Sequence, residues 1–230
     1  MKKLATLCLL ISTLNVATAQ EVGAFRKQLY LKITPTSLLD PYGARLPVGI
    51  GYHFAERDYA SIEYSIPLLR YIPFFDQGYQ TIKSDIRLRI EYRRFISENR
   101  RAYLGVEGFI RNQELVRTSK GRYYDSNGGI KIEFNYTSGD VYKNIIGVGL
   151  IFGGDIRITN HIYFEPYCGL GIRNVEVHRE NVRDLTQLPS QRQFDWFTQG
   201  LIAEEEEIEG GDMGLYVPCG VKINILLSRR

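Results

Sequence analysis

The sequence lacks any run of about twenty apolar residues, so it offers no candidate transmembrane helix. Three cysteines are too few for a disulfide scaffold in a chain of 230 residues. The charge is nearly balanced, with 29 basic and 26 acidic residues, which gives no indication of a nucleic-acid partner. With 8 prolines and 2 methionines against 22 glycines and 16 tyrosines, the composition favours strands and tight turns over helices.

The N-terminus has the order of a secretory signal peptide. Lys2 and Lys3 precede an apolar run from Leu4 to Leu14, and small residues follow at Ala17 and Ala19. We therefore expect a signal peptide over residues 1–19 and a single mature domain over residues 20–230.

Strand patterns recur throughout the rest of the chain, with no segment of helical period capped at both ends. The spacing predicts an all-β fold of about eight antiparallel strands. They lie near residues 28–37, 44–54, 58–68, 81–96, 101–116, 142–156, 160–175 and 214–227.

The links between these strands alternate in length. Residues 55–57, 97–100 and 157–159 are short links, whereas 68–80, 116–141 and 176–213 are long; the link at 39–45 is the shortest of the second set. Short turns at one rim and long loops at the other are typical of bacterial outer-membrane barrels. The pattern therefore predicts a single up-and-down transmembrane β-barrel.

Alternation within the strands separates an apolar face from one that mixes charges with glycine. Ile146, Val148, Leu150 and Phe152 alternate with Gly147, Gly149, Ile151 and Gly153, and the strands at 81–96 and 160–175 follow the same rule. We expect the apolar face to meet lipid and the glycines to make room for long Arg and Glu side chains in a narrow lumen. Phe54, Tyr92 and Phe164 fall near the short-turn rim, where an aromatic girdle belongs.

The stretch GVGLIFGGDIRITNHIYFEPYCGLGIR, residues 147–173, resembles the paired late strands of small OmpA-like or OmpX-like outer-membrane barrels. The likeness is to a group of uncharacterised members of about two hundred residues. It implies an outer-membrane location and a single barrel, and it specifies neither a ligand nor a partner.

The first candidate site is a set of charges predicted to face the lumen. They are Glu63, Asp85, Arg87, Arg89, Glu91, Glu107, Arg111, Glu165 and Lys222, with His53 nearby by parity. A functional interpretation is an ion or proton path. The interpretation we favour is a filled interior in which neighbouring charges neutralise one another, because an eight-stranded lumen is only wide enough for side chains.

Catalysis is not expected, because no histidine is predicted to join a serine on the outward face. By alternation His53 and His161 point inward, and His178 sits in or beside the last long loop. No cofactor or metal is predicted. Cys168 and Cys219 fall almost opposite each other on the outward face; a disulfide is one interpretation, and two unbonded small residues the favoured one.

The long loops carry the remaining candidates for binding. Residues 176–213 combine Arg179, Arg183 and Arg192 with Trp196, Phe197 and the acidic run 204–207; residues 117–140 contain Tyr123, Tyr124 and the alternating segment 130–136. Our leading hypothesis is a monomeric, non-enzymatic outer-membrane barrel that contacts outer-membrane lipid and has either a structural role or an interaction with a surface ligand through these loops. The acidic run is equally well interpreted as a solvated loop tip. The alternatives are a lipid-modifying enzyme such as a lipid A deacylase, and a soluble periplasmic lipocalin-like binder.

Overall fold

The computed structural model describes residues 27–39, 45–67, 80–96, 102–117, 121–127, 130–191 and 209–229. The predicted signal peptide, the acidic run 204–207 and the residues Arg192, Trp196 and Phe197 lie outside the described residues. Within the described part, no helix is long and apolar enough to cross a membrane.

Antiparallel strands make up nearly all of the described chain. They are β1 (Gln28–Ile33), β2 (Arg45–His53), β3 (Asp58–Pro67), β4 (Gln80–Phe95), β5 (Tyr103–Arg117), β6 (Gly121–Asn127), β7 (Ile130–Tyr136), β8 (Ser138–Gly153), β9 (Ile156–Arg157), β10 (Ile162–Arg183), β11 (Thr186–Gln191), β12 (Gly210–Tyr216) and β13 (Cys219–Arg229). A short 3-10 turn, Pro35–Leu39, follows β1.

Eight strand positions close into a ring, in the order β1, β2, β3, β4, β5, β8, β10 and the last position. Two segments share that last position. β12 pairs with residues 171–177 of β10. β13 pairs with residues 162–168 of β10 along one edge and with β1 along the other, which closes the ring. The break between β12 and β13 falls at Pro218, whose nitrogen cannot donate a ladder hydrogen bond. The predicted all-β, up-and-down barrel of eight antiparallel strands is confirmed.

The first strand ends earlier than the alternation predicts. The chain leaves β1 after Ile33 because Pro35 starts the 3-10 turn. Thr36 holds the turn against the wall: its Oγ1 accepts a hydrogen bond from the backbone nitrogen of Val221 at 3.1 Å and donates to the carbonyl of Val221 at 3.3 Å.

The second and third long connections contain more strand than predicted. β10 continues eight residues past the predicted end at 175, and β8 starts at Ser138 rather than at 142. The segments β6, β7 and β11 form a separate three-stranded sheet. The predicted alternating segment 130–136 is thus a strand, paired with β6 rather than with the barrel wall.

The outward side of the ring is apolar. Its exposed large side chains, here called the apolar band, include Ile50, Tyr52, Ile62, Tyr64, Ile86, Ile90, Tyr92, Leu104, Val106, Ile110, Ile146, Val148, Leu150, Phe152, Ile162, Phe164, Leu170, Ile172, Leu215 and Val217. Phe54, Tyr92 and Phe164 face outward near the short-turn rim. Lumen-facing residues alternate with the band along every strand, as the pleat requires.

Four glycines of the wall, Gly51, Gly147, Gly149 and Gly171, make room for aromatic rings rather than for Arg side chains. A Cβ at Gly147 would lie 2.4 Å from the ring of Phe109, and one at Gly171 would lie 2.2 Å from the ring of Tyr216. Among the described glycines, Gly49 is the only one whose nearest side-chain atom belongs to a carboxylate residue, Glu63. The expectation that the glycines accommodate long charged chains is therefore right at Gly49 and wrong at the aromatic positions.

Candidate functional site

All nine predicted site residues lie on the lumen side of the wall, because each shares the parity of its strand's inward residues. Eight of them are buried, and Arg87 is partly exposed. Glu107, Glu165 and Lys222 have no measurable exposure. Eight of the nine belong to one of two groups of ion pairs described next, and Arg87 is the exception.

Glu91 on β4 is the centre of the larger group. One of its oxygens accepts hydrogen bonds from the ammonium groups of Lys32 at 2.6 Å and Lys222 at 2.9 Å, which approach from β1 and β13. The other oxygen accepts from Nε of Arg93 at 2.5 Å. Strands from both ends of the chain are thereby joined across the lumen.

Glu165 on β10 continues the group beside Glu91. It pairs with Arg93 at 2.8 Å and Lys222 at 3.4 Å, and accepts hydrogen bonds from Tyr103 and Asn224, each at 2.7 Å. This carboxylate therefore meets groups from four other positions of the wall, which orient it from several sides.

Glu63 on β3 joins Arg89 and Lys32. Arg89 pairs with Glu63, and Lys32 lies 2.8 Å from it. Arg89 also donates to Thr34 Oγ1 at 3.2 Å and lies 3.7 Å from Glu107, whose other oxygen accepts from Tyr216 at 3.1 Å. Arg89 thus connects Glu63 to Glu107.

The eight ionic side chains so connected, here called the central network, balance in charge. Lys32, Arg89, Arg93 and Lys222 carry four positive charges, and Glu63, Glu91, Glu107 and Glu165 carry four negative ones. Burying ions is costly unless each is paired and hydrogen-bonded, and here every member has an opposite charge within 4 Å.

Asp85 and Arg111 form a second, separate ion pair. Arg111 donates from Nε and from one terminal nitrogen to the two carboxylate oxygens, each at 2.9 Å, which is the bidentate geometry that favours arginine over lysine. The guanidinium of Arg87 lies 4.4 Å from the ring centre of Phe109 on the same side of the lumen.

Two members of the central network, Lys32 and Arg93, were not among the predicted site residues. Arg93 shares the parity of Arg89 and Glu91, so the alternation of β4 was sufficient to find it. It is held between two rings, 4.3 Å from the centre of Tyr59 and 4.6 Å from that of Tyr103. To predict Lys32 as a member, the alternation had to be applied to the short strand β1, on which Tyr30 also faces inward.

Apolar layers lie on either side of the central network. Towards the short turns, a mostly aromatic cluster packs together: Tyr30, Tyr59, Phe95, Tyr103, Ile151, Tyr167 and Leu226. Towards the long connections, a second cluster does so: Ile82, Phe109, Leu115, Val141, Ile145, Val175 and Val177. The interior is thus filled with side chains at three levels.

The three histidines take three different positions. His53 faces inward and is buried among the rings of Tyr30, Tyr59 and Phe95, as predicted. His161, which was predicted to face inward, is instead exposed in the turn before β10, because β10 starts at Ile162 rather than at residue 160. His178 lies within the extended β10 and faces outward.

Two further expectations about side chains change. Cys168 and Cys219 are joined by a disulfide, so the favoured interpretation of two unbonded residues is wrong; the register of β10 and β13 places them directly opposite each other. Arg179 does not belong to a loop surface. It faces inward on β10, where its guanidinium donates to Glu209 at 2.6 Å.

No protein-family model, no curated protein and no solved structure matches this chain. Among the described residues, no three His, Cys, Asp or Glu side chains form a group that could hold a metal ion.

Proposed function

We propose that this protein is a non-enzymatic outer-membrane barrel with a side-chain-filled lumen, and that it acts through the end carrying the long connections. The observation that carries the proposal is a change of polarity on the outward face of three neighbouring strands. Ile110 gives way to Asn112 on β5, Ile146 to Asn144 on β8, and Ile172 to Asn174 on β10. Ile110 pairs with Ile146 and Asn112 pairs with Asn144, so the change runs across strands.

Beyond this boundary lies the projecting segment, residues 80–85, 111–117, 138–145 and 173–183. Most of its outward side chains are polar, including Glu114, Asp140 and Glu176, and part of its interior is the apolar cluster that contains Leu115 and Val141. Such an arrangement suits a wall in water, whereas the apolar band suits a wall in lipid. The outward side chains of the same strands are thus suited to lipid in one region and to water in the other.

The apolar band is long enough for a membrane. On β10 its outward members run from Ile162 to Ile172, a span of eleven residues, and a tilted transmembrane strand needs about 9–11. A monomeric soluble protein rarely exposes so continuous an apolar surface. A lipocalin-like binder needs the opposite polarity, an apolar interior and a polar exterior, which disfavours that alternative.

The central network favours a structural role for the lumen over a conducting one. Its charges neutralise one another and pair at short distance, so moving an ion through it requires breaking buried ion pairs. The lipid-modifying alternative has no comparable support, because His178, the histidine on the outward face of a strand, lies beside Glu180 and Glu209 rather than beside a serine.

A surface ligand is the remaining part of the proposal. The residues predicted to bind it, 117–140 and 176–213, include the sheet of β6, β7 and β11 above the projecting segment. Loops and short sheets on a rigid barrel vary without disturbing the wall, which makes them suitable for recognition.

The test starts from membranes of cells that express the full chain. We expect the protein in the outer-membrane fraction, with a mobility in SDS gels that changes on boiling, because closed barrels resist SDS until heated. In planar bilayers we expect no steady single-channel conductance. Recovery in the soluble periplasm would overturn the membrane proposal, and a stable open channel would overturn the filled lumen while leaving the barrel.

A further inference from the structure

The outward face carries a shallow depression of about 550 Å³ across β2, β3, β4 and β5. Its floor is Ala60, which pairs with Tyr52 on one side and Tyr92 on the other. The two rings stand as walls because the residue between them has only a methyl group. Val106 and Gly108 continue the depression onto β5, so its lining is almost wholly apolar.

One end of the depression meets a pair of opposite charges. Asp58 and Arg94 are partners in the ladder between β3 and β4, two residues from the pair of Ala60 and Tyr92. Asp58 and Arg94 therefore lie on the same outward face as that pair, on its short-turn side. The guanidinium of Arg94 lies 3.6 Å from Asp58 Oδ1, which also accepts a hydrogen bond from the hydroxyl of Tyr92 at 2.7 Å. The Arg94 side chain is 67% exposed and can therefore be reached by a ligand from outside the wall.

We propose that the depression and the Asp58–Arg94 pair form a binding site for phosphatidylethanolamine. One acyl chain lies over Ala60 between the two tyrosines, the phosphate accepts hydrogen bonds from Arg94, and the ammonium donates to Asp58 Oδ2. The inference rests on the proposed membrane location, which puts the short-turn rim at a lipid headgroup level.

The charges select this headgroup among phospholipids. A phosphate beside an ammonium matches a cation beside a carboxylate, whereas an anionic phosphatidylglycerol would meet Asp58 without a compensating charge. The quaternary ammonium of phosphatidylcholine has no N–H group and cannot donate a hydrogen bond to the carboxylate. Arginine is also well suited to the phosphate, since its planar donors match two oxygens at once.

Native mass spectrometry of the full-length barrel in detergent tests the site with the three lipids matched in acyl chains. We expect the wild type to retain phosphatidylethanolamine about twofold to fivefold more than the other two, the scale of exposed ion pairs. Arg94→Gln should remove that preference. Asp58→Asn should transfer it to phosphatidylglycerol, because a lone cation is left.

Two matched variants separate the site from general effects. Arg157→Gln removes an exposed cation from the end of β9 at the same rim and should leave lipid retention unchanged. Ala60→Leu fills the floor and should reduce retention of all three lipids, whereas Val148→Leu enlarges the outward face elsewhere and should not.

Each remaining outcome overturns the inference. Equal retention of the three lipids by the wild type would mean that only the acyl chain is held, and a dimer in place of bound lipid would mean that a second copy covers the depression. If the wild type inserts into vesicles and shows the heat-dependent gel shift, these results count against the lipid site alone. If it fails to insert at all, the proposed membrane function falls first and the lipid site with it.

Discussion

The wall beside the central network and the projecting segment differ in what each face carries, although four of their strands are continuous. Beside the network, buried ions face inward and the apolar band faces outward; in the projecting segment, part of the interior is apolar and the outward face is polar. An alternating strand fixes which residues share a face but not which face is apolar. Which face is apolar depends on whether lipid, water or other side chains surround it, so the polarity of each region indicates its environment.

The largest expected effect comes from breaking the network. Glu91→Gln keeps the shape of the side chain but leaves Lys32, Lys222 and Arg93 without their shared carboxylate. Removing one partner from a buried ion group costs about 3–5 kcal/mol in the free energy of unfolding. Urea unfolding of the folded barrel in lipid vesicles measures it. Glu114→Gln is the control, because the Lys83–Glu114 pair is exposed and should contribute far less to the free energy of unfolding.

A loss below about 1 kcal/mol for Glu91→Gln would show that the central network is not what holds the interior. The two regions would then differ in composition but not in how they are stabilised.

The second prediction concerns the outward face of a single strand. Leu150→Arg places a charge in the apolar band of β8, whereas Asn144→Arg places it in the projecting segment of the same strand. We expect the first to cost about 2–4 kcal/mol in vesicles and the second close to nothing, because charge is costly only at membrane depth. The fraction that shifts on boiling, titrated against urea, gives both values. Equal costs would place both positions in one solvent.

The third prediction tests the interior of the projecting segment. Val175 is 7% exposed within the apolar cluster that lies towards the long connections, and Glu176 next to it faces outward. Val175→Asn buries an amide among apolar groups and should cost about 2 kcal/mol, whereas Glu176→Asn should change stability little. The same unfolding experiment applies. A tolerated Val175→Asn would mean that water reaches the inside of the projecting segment.

Period-two alternation was enough to predict the ring and the inward side of all nine site residues, because it acts on every strand of a closed wall. The network's pairing could not be predicted, since Glu91 meets Lys32 and Lys222 across a distance of 59 and 131 residues in the chain. The end of β10 was also missed. Polar residues such as Glu176 and His178 indicate a loop if the strand is expected to end at the membrane, and they remain in a strand here because the wall continues beyond the band.

The smallest effect lies on the outside of the projecting segment and depends on pH. Hydrogen bonds from Asn181 and then from Lys83 hold the pKa of the Asp140 carboxyl below its ordinary value of 3.8. A lowered folded-state pKa gives stability that is present above that ordinary value and is lost as the pH falls below it. Because the group is near the surface, we expect a few tenths of a kcal/mol at most. Hydrogen exchange at the start of β8 should be slower in the wild type than in Asp140→Asn at pH 5, with the two converging near pH 2. Glu176→Gln, an outward carboxylate on β10, serves as the control for general charge effects. A difference that persists at pH 2 would mean that the Asp140 contacts act through packing rather than through charge.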